Sequence, residues 1–406
     1  MYINKKIYII RIVISLLLGI VISWGIYNII NSDLSDKNSK IDNKINKNFT
    51  EGLHYIGQIN KPRIFHSVFK INDNDILIVG GCSKKEQTIN SSQYVQEQSA
   101  EIFNLIDLSS KYTKQHPYYP RHSNTFRLSK NKVLFTGNNL EIYNINSEKF
   151  FKYNPQYASN NIEYSDLKDN KLMQCSNAFS SDVSCELVNL KTNNIEKFIN
   201  KFRPKPEFEA YYTGHKKIND KLLLFYQIFY YAKQEESQNM AIGIFDINKK
   251  EFISSNIINN IGLYNRTSEP VVIDDNNILF LGGVRYPFLK YKCNDECSEN
   301  KGIYQKSKLY NIKDNKVIKE LDYLYNDINI PIKGIKLSNG NILIIEGSKI
   351  RQLYNIQKME FESIGPYQID SINSQIINLD ENFLLIIGGE NTETNEISKS
   401  VWLYVY

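Results

Sequence analysis

Four of the five cysteines fall into two pairs whose spacing suits covalent cross-linking. Cys293 and Cys297 are separated by three residues, and a bridge there would pin the segment that carries them. Cys175 and Cys185 lie ten positions apart and become cross-strand partners if the register of a short hairpin sets them opposite. Cys82 is left over as a quiet thiol beside Gly80-Gly81. A zinc site fits less well, because no histidine lies near Cys293 or Cys297. His54, His116 and His215 are scattered, while His66 and His122 follow a recurring arginine, so no metal and no cofactor is expected. Arg63, Arg121 and Arg266 each precede an inner strand and are candidate ligand-binding residues. Their alternative is hydrogen bonding at structural junctions. Two aromatic clusters, Phe229-Tyr230-Tyr231 and Tyr286-Pro287-Phe288, would offer stacking surfaces to a sugar or a protein if exposed. Packed on each other, they would only stiffen their loops.

A repeat must position these residues. One apolar run recurs seven times: Asp75 to Gly81, Lys132 to Gly137, Lys171 to Ser176, Lys221 to Tyr226, Asn277 to Gly283, Asn341 to Gly347 and Phe383 to Gly389. Such short, nearly continuous runs suit strands buried on both faces. A second pattern follows each one, typified by Glu101-Ile102-Phe103-Asn104-Leu105 and Glu141-Ile142-Tyr143-Asn144-Ile145. Its fourth residue is Asn or Asp in six of the seven copies, as befits a strand turning into a hairpin. Two weaker strands complete each unit, and four strands repeated radially form a propeller blade. The expected fold is all-β, a seven-bladed β-propeller over residues 51–406. The chain stops at Tyr406 on the third strand of the last blade, and a spare strand at His54–Ile59 stands ready to complete it. That closure would leave no unpaired edge.

The pattern resembles the kelch repeat and, more broadly, the galactose-oxidase type of propeller. Pro62-Arg63 and His66 before Gly80-Gly81, with Ala100-Glu101-Ile102-Phe103 after, carry the resemblance, and Pro120-Arg121-His122 repeats the opening. The Gly-Gly pair recurs at 282–283 and 388–389. Copper enzymes of this type need a Tyr-His pair, and the sequence has no adjacent one. Glycan-processing relatives use arginines at a central mouth, which is what Arg63, Arg121 and Arg266 would supply.

Insertions separate the second and third strands of blades one, four, five and seven, at Cys82–Ser99, Gln227–Ala241, Val284–Ser307 and Glu390–Ser400. All such loops open on one face. Blades four and five are neighbours, and so are seven and one once the ring closes, so the insertions form two opposed walls. Binding commonly resides in long loops on a rigid scaffold.

The first 50 residues are of a different kind. Lys5, Lys6 and Arg11 precede Ile12–Ile30, which contains no charged residue and is long enough to cross a bilayer as a helix. Residues 1–30 are therefore expected to anchor the chain in a membrane, with the N-terminus in the cytoplasm and the propeller outside. The alternative is a signal segment cleaved near Ser23 or Gly25 and a secreted product. Residues 31–50 are polar and read as a flexible linker with a reach of about 25 Å. The net charge of +5 is spread without a dense basic block, which argues against nucleic acid as a partner. The expected role is a non-catalytic, membrane-tethered recognition module that binds a glycan or protein through the long-loop face. A central-mouth glycan-processing enzyme and a structural subunit of an envelope complex are the alternatives.

Overall fold

The computed structural model describes residues 49–406, apart from 88–91, 120–123, 137–139, 154–161, 168–170, 177–182, 190–191, 193, 201–208, 231–237, 260–269, 283, 286–302, 305, 323–331, 370–372, 381 and 392–393. The apolar run and residues 31–48 of the linker lie outside the described residues, while Phe49, at the end of the linker, packs against the core layer between blades 7 and 1. Among the described residues no helix is long and apolar enough to cross a membrane.

Seven four-stranded antiparallel sheets form the blades of an all-β, seven-bladed propeller. In blade 1 the order is Ser67–Lys70, Asp75–Val79, Ala100–Asn104 and Ser109–Tyr112, so the strands run from inside to outside in chain order. Blades 2 to 6 repeat this order. Blade 7 differs: Gln375–Asn378, Phe383–Ile387 and Ser400–Val405 are completed by Gly52–Gln58 from the other end of the chain. Leu53 faces Tyr404 and Tyr55 faces Trp402 across that pairing.

The second strands explain the ring. Most are nearly continuous apolar runs because both faces of a blade are covered by neighbouring blades, and successive side chains point to opposite faces. Ile76 and Ile78 pack toward blade 7, with Leu385 and Ile387. Leu77 and Val79, alternating with them, pack toward blade 2, with Val133 and Phe135. The same division separates Leu223 and Phe225 from Leu224 and Tyr226 in blade 4. It also separates Ile342 and Ile344 from Leu343 and Ile345 in blade 6. The core is thus a circle of interblade layers rather than one central mass.

Turn chemistry on the lower face follows the asparagines. Asn104 Oδ1 accepts the N–H groups of Ile106 and Asp107 at 2.9 and 3.0 Å, and Asp246 does the same for Asn248 and Lys249. Each such turn ends in a left-handed residue, at Leu108, Glu148, Lys250, Asn315 and Met359. Inner strands are stitched to their predecessors there as well. Lys70 Nζ donates to Leu379 O at 2.7 Å, Arg127 Nη2 to Lys70 O at 2.6 Å, and Asn378 Nδ2 to Lys336 O at 3.0 Å.

The insertions take different forms. That of blade 1 is a hairpin, Cys82–Gln87 with Ser92–Gln96. Blade 4 extends its own second and third strands to nine residues each, Leu222–Tyr230 and Gln238–Asp246, so much of its insertion is sheet rather than loop. Blade 5 has a short ribbon, Val284–Arg285 with Ile303–Tyr304. Blade 7 closes its loop with a bridge between Glu390 and Ile397.

Candidate functional site

The junction of blades 7 and 1 holds the richest set of polar contacts described, and it is built in three layers. The lowest centres on Arg63, in the connector that leaves the closing strand. Its side chain is completely buried. Nε donates to Glu101 Oε1 at 3.0 Å, Nη1 to Gly80 O at 2.6 Å and Ser99 O at 2.9 Å, and Nη2 to Ser99 Oγ at 2.5 Å. The other Glu101 oxygen accepts the Asn60 N–H at 2.7 Å and the Ser110 hydroxyl at 2.6 Å. Backbone bonds extend the tie to blade 7: Arg63 N–H reaches Ser398 O at 3.1 Å, and Gly389 N–H reaches Arg63 O at 2.9 Å. Arg63 therefore fills the junction role, with its guanidinium turned into the protein rather than toward an open mouth. Blade 2 repeats part of the device, since the Tyr118 N–H donates to buried Glu141 at 2.6 Å.

His66 forms the middle layer. It is buried, and neither ring nitrogen has a hydrogen-bond partner among the described residues. Glycine on both sides makes room for it. A Cβ at Gly81 would lie 2.9 Å from His66 Cβ and 2.5 Å from Ile64 O. One at Gly388 would meet the imidazole at 3.0 Å and Arg63 O at 2.4 Å. Both glycines have positive φ, which L side chains rarely adopt. Gly388 thus leaves room for the imidazole, and Gly81 for the backbone and Cβ that carry it. Desolvation, with the positive charges of Arg63 and Lys333 nearby, pushes the His66 pKa down from 6.5 to about 3. Neutral imidazole is the form held in this slot. No group of three or more metal-ligating side chains occurs among the described residues.

The insertions supply the upper layer. Glu390, on the blade-7 loop, accepts Lys85 Nζ at 2.9 Å and the Tyr94 hydroxyl at 3.0 Å, both from the blade-1 hairpin. Lys85 also sits 5.6 Å from the centre of the Tyr94 ring. The hydrogen bond to Glu390 Oε1 raises the Lys85 pKa, while burial and then its own hydrogen bond to Glu390 Oε2 raise the pKa of Tyr94. Phe65 stands edge-on to Tyr94 at 5.6 Å, remains 38% exposed and adopts a left-handed φ of 53°. Its N–H donates to Asn373 O at 3.3 Å, and Asn373 takes the same left-handed turn (φ 61°) before the inner strand of blade 7. Two insertions from opposite ends of the chain therefore form one wall, with an aromatic ring at its foot.

Of the other residues singled out from the sequence, Tyr230 ends the second strand of blade 4, opposite Glu209 and Gln238. Arg121, Arg266, Tyr231, Tyr286, Phe288, Cys293 and Cys297 lie outside the described residues. Cys185 is disulfide-bonded, and the residue facing it in the register is Cys175. The Cys82 side chain is buried. Sequence reasoning passed over Phe65, Lys85, Tyr94 and Glu390. The first stands in full view between Arg63 and His66, whereas the other three gain meaning only once ring closure brings their loops together.

No protein-family model matches the chain, and no curated protein matches it. Among solved structures it is similar to the AfRom2 CNH domain, at 9% identity and a TM-score of 0.48, over 87% of this chain and 99% of that one. The class defined by the fold is the seven-bladed β-propeller, whose members commonly mediate binding.

Proposed function

We propose that this chain is a non-catalytic recognition module of kelch type, tethered to a membrane by its N-terminal segment, and that it binds a glycan or protein through the insertion-bearing face. The observation that carries the reading is the clasp of Lys85 and Tyr94 on Glu390, which fuses two insertions into one preorganised wall beside exposed Phe65. Preorganised surfaces bind at lower entropic cost than loose loops. A catalytic mouth built on Arg63 is disfavoured, because its guanidinium is fully engaged inside blade 1. The kelch resemblance gains support from the buried Arg63–Glu101 pair, which joins the two residues of the repeat that carry charge.

Topology supports the direction of the tether. Gly52 pairs with Val405 at the strand end where the other blades place their third-to-fourth-strand turns. The chain thus enters the ring on the face opposite the insertions, so an anchored molecule would point its wall away from the bilayer. The test is to offer the full chain, in detergent micelles, to a glycan array and to a panel of purified envelope proteins. Retention on either, weakened by Phe65→Ala, is expected. Retention on neither contradicts the reading.

A further inference from the structure

A second exposed aromatic group lies on the connector from blade 1 to blade 2. Within seven residues it presents Tyr112 (44% exposed), His116 and Tyr118 (45% exposed) to solvent. The segment is not slack. Thr113 N–H donates to Ala100 O at 3.0 Å, the Thr113 hydroxyl to Gln115 O at 2.7 Å, and Tyr118 N–H to buried Glu141 at 2.6 Å, while Pro117 is buried. Anchoring from below holds the rings outward, although each would gain by burial.

A cation completes the group. Lys152 rises from the outer strand of blade 2, opposite Glu141 in the register. Its ammonium lies 4.8 Å from the centre of the Tyr118 ring and 5.8 Å from that of Tyr119. Among the described residues no carboxylate pairs with it, so the ring faces position a charge that remains open to an anion. Gln115 Nε2 donates to the Tyr118 hydroxyl at 3.2 Å, which leaves the phenolic proton to point outward.

We infer that this group is a subsite for an acidic sugar of a polysaccharide, with Tyr118 and Tyr119 as stacking faces and Lys152 as the partner of the sugar carboxylate. A pyranose offers one face of C–H bonds and a rim of hydroxyls, which matches a ring face flanked by Tyr118 O–H and Gln115. The mix of rings and donors favours a sugar over an apolar protein patch. The connector joins an outer strand to the next inner strand and so opens on the insertion-bearing face. The inference rests on the reading that this face performs recognition, and it names a ligand class for it.

The test uses the full chain in detergent micelles, with polygalacturonate as the acidic probe and dextran as the neutral one. Polygalacturonate should bind, and Tyr118→Ala and Lys152→Gln should each weaken it about tenfold or more. Tyr118→Phe should keep most of the affinity, and the variants should melt with the wild type. Absence of polygalacturonate binding, equal binding of dextran, or indifference to Tyr118→Ala overturns the subsite. Loss on Phe65→Ala with retention in Tyr118→Ala also overturns it, while moving the sugar to the blade 7–1 wall and leaving the broader reading intact. Loss of a protein partner rather than a polysaccharide on Tyr118→Ala overturns the sugar assignment.

Discussion

Arg63 Nε lies 3.0 Å from Glu101 Oε1 in a blade interior where neither side chain has any exposure. A buried pair of this kind is costly to break from one side, because the remaining charge stays buried without its counterpart. Glu101→Ala should therefore destabilise the propeller by about 3–5 kcal/mol. The double replacement Arg63→Met with Glu101→Leu should cost less than the sum of the two single changes. Urea unfolding of the four proteins in a double-mutant cycle measures the coupling.

His66 sets a pH dependence whose sign is fixed by its environment. The folded state holds the imidazole neutral, with a pKa lowered to about 3 from 6.5, chiefly by burial. The unfolded chain therefore takes up a proton first on acidification. The His66 contribution is complete above about pH 6.5 and is lost progressively as the pH falls toward 3, on the order of 2 kcal/mol by pH 5. His66→Gln should flatten that part of the profile. Stability measured from pH 7 to pH 5 for both proteins checks it, and parallel profiles would remove His66 from the account.

Ring closure depends on seven residues at the N-terminal end of the described chain. Gly52–Gln58 supply the outer strand of blade 7, while Ile56 and Ile59 enter the core layer between blades 7 and 1. A chain beginning at residue 49 should unfold at the same urea concentration as the full chain. One beginning at residue 59 leaves the Ser400–Val405 edge unpaired and should unfold earlier and self-associate. Sedimentation velocity alongside urea titration distinguishes the two.

Much of this fold was legible because a propeller blade is covered on both sides. Short continuous runs such as Asp75–Val79 and Phe383–Ile387 suit strands without a wet face, and their seven returns between turn residues set the blade number. The turn residues were equally plain, since Asn104 and its counterparts, with Asp246 in blade 4, end the third strands of six blades. Arg63 shows where legibility stopped. Its place in the repeat marked it as important, but whether its guanidinium faced the mouth or the blade depended on Glu101, Gly80 and Ser99 converging in space. The wall was readable as a neighbourhood and not as contacts, because Lys85 and Glu390 meet across 305 positions.

Glu390 serves Lys85 and Tyr94 together, so its loss should free the blade-1 hairpin without opening the ring. Partly exposed ion pairs contribute modestly, and Glu390→Ala should lower global stability by about 1–2 kcal/mol at most. Amide exchange over residues 82–99 should nevertheless quicken, while exchange in Ile342–Glu346 stays unchanged. Uniform acceleration everywhere would show that Glu390 holds the ring rather than the hairpin.

The face that recognises a partner can be tested by blocking it. A bulky polymer can be attached through a clickable azide side chain at Glu86, on the blade-1 hairpin, or at Asp107, in a turn of the opposite face. Binding of the full chain to the glycan array and the envelope-protein panel is then compared with that of the unblocked protein. The polymer at position 86 should abolish retention, and the polymer at position 107 should leave it unchanged. Retention that survives the block at 86 and disappears with the block at 107 would contradict recognition by the insertion-bearing face.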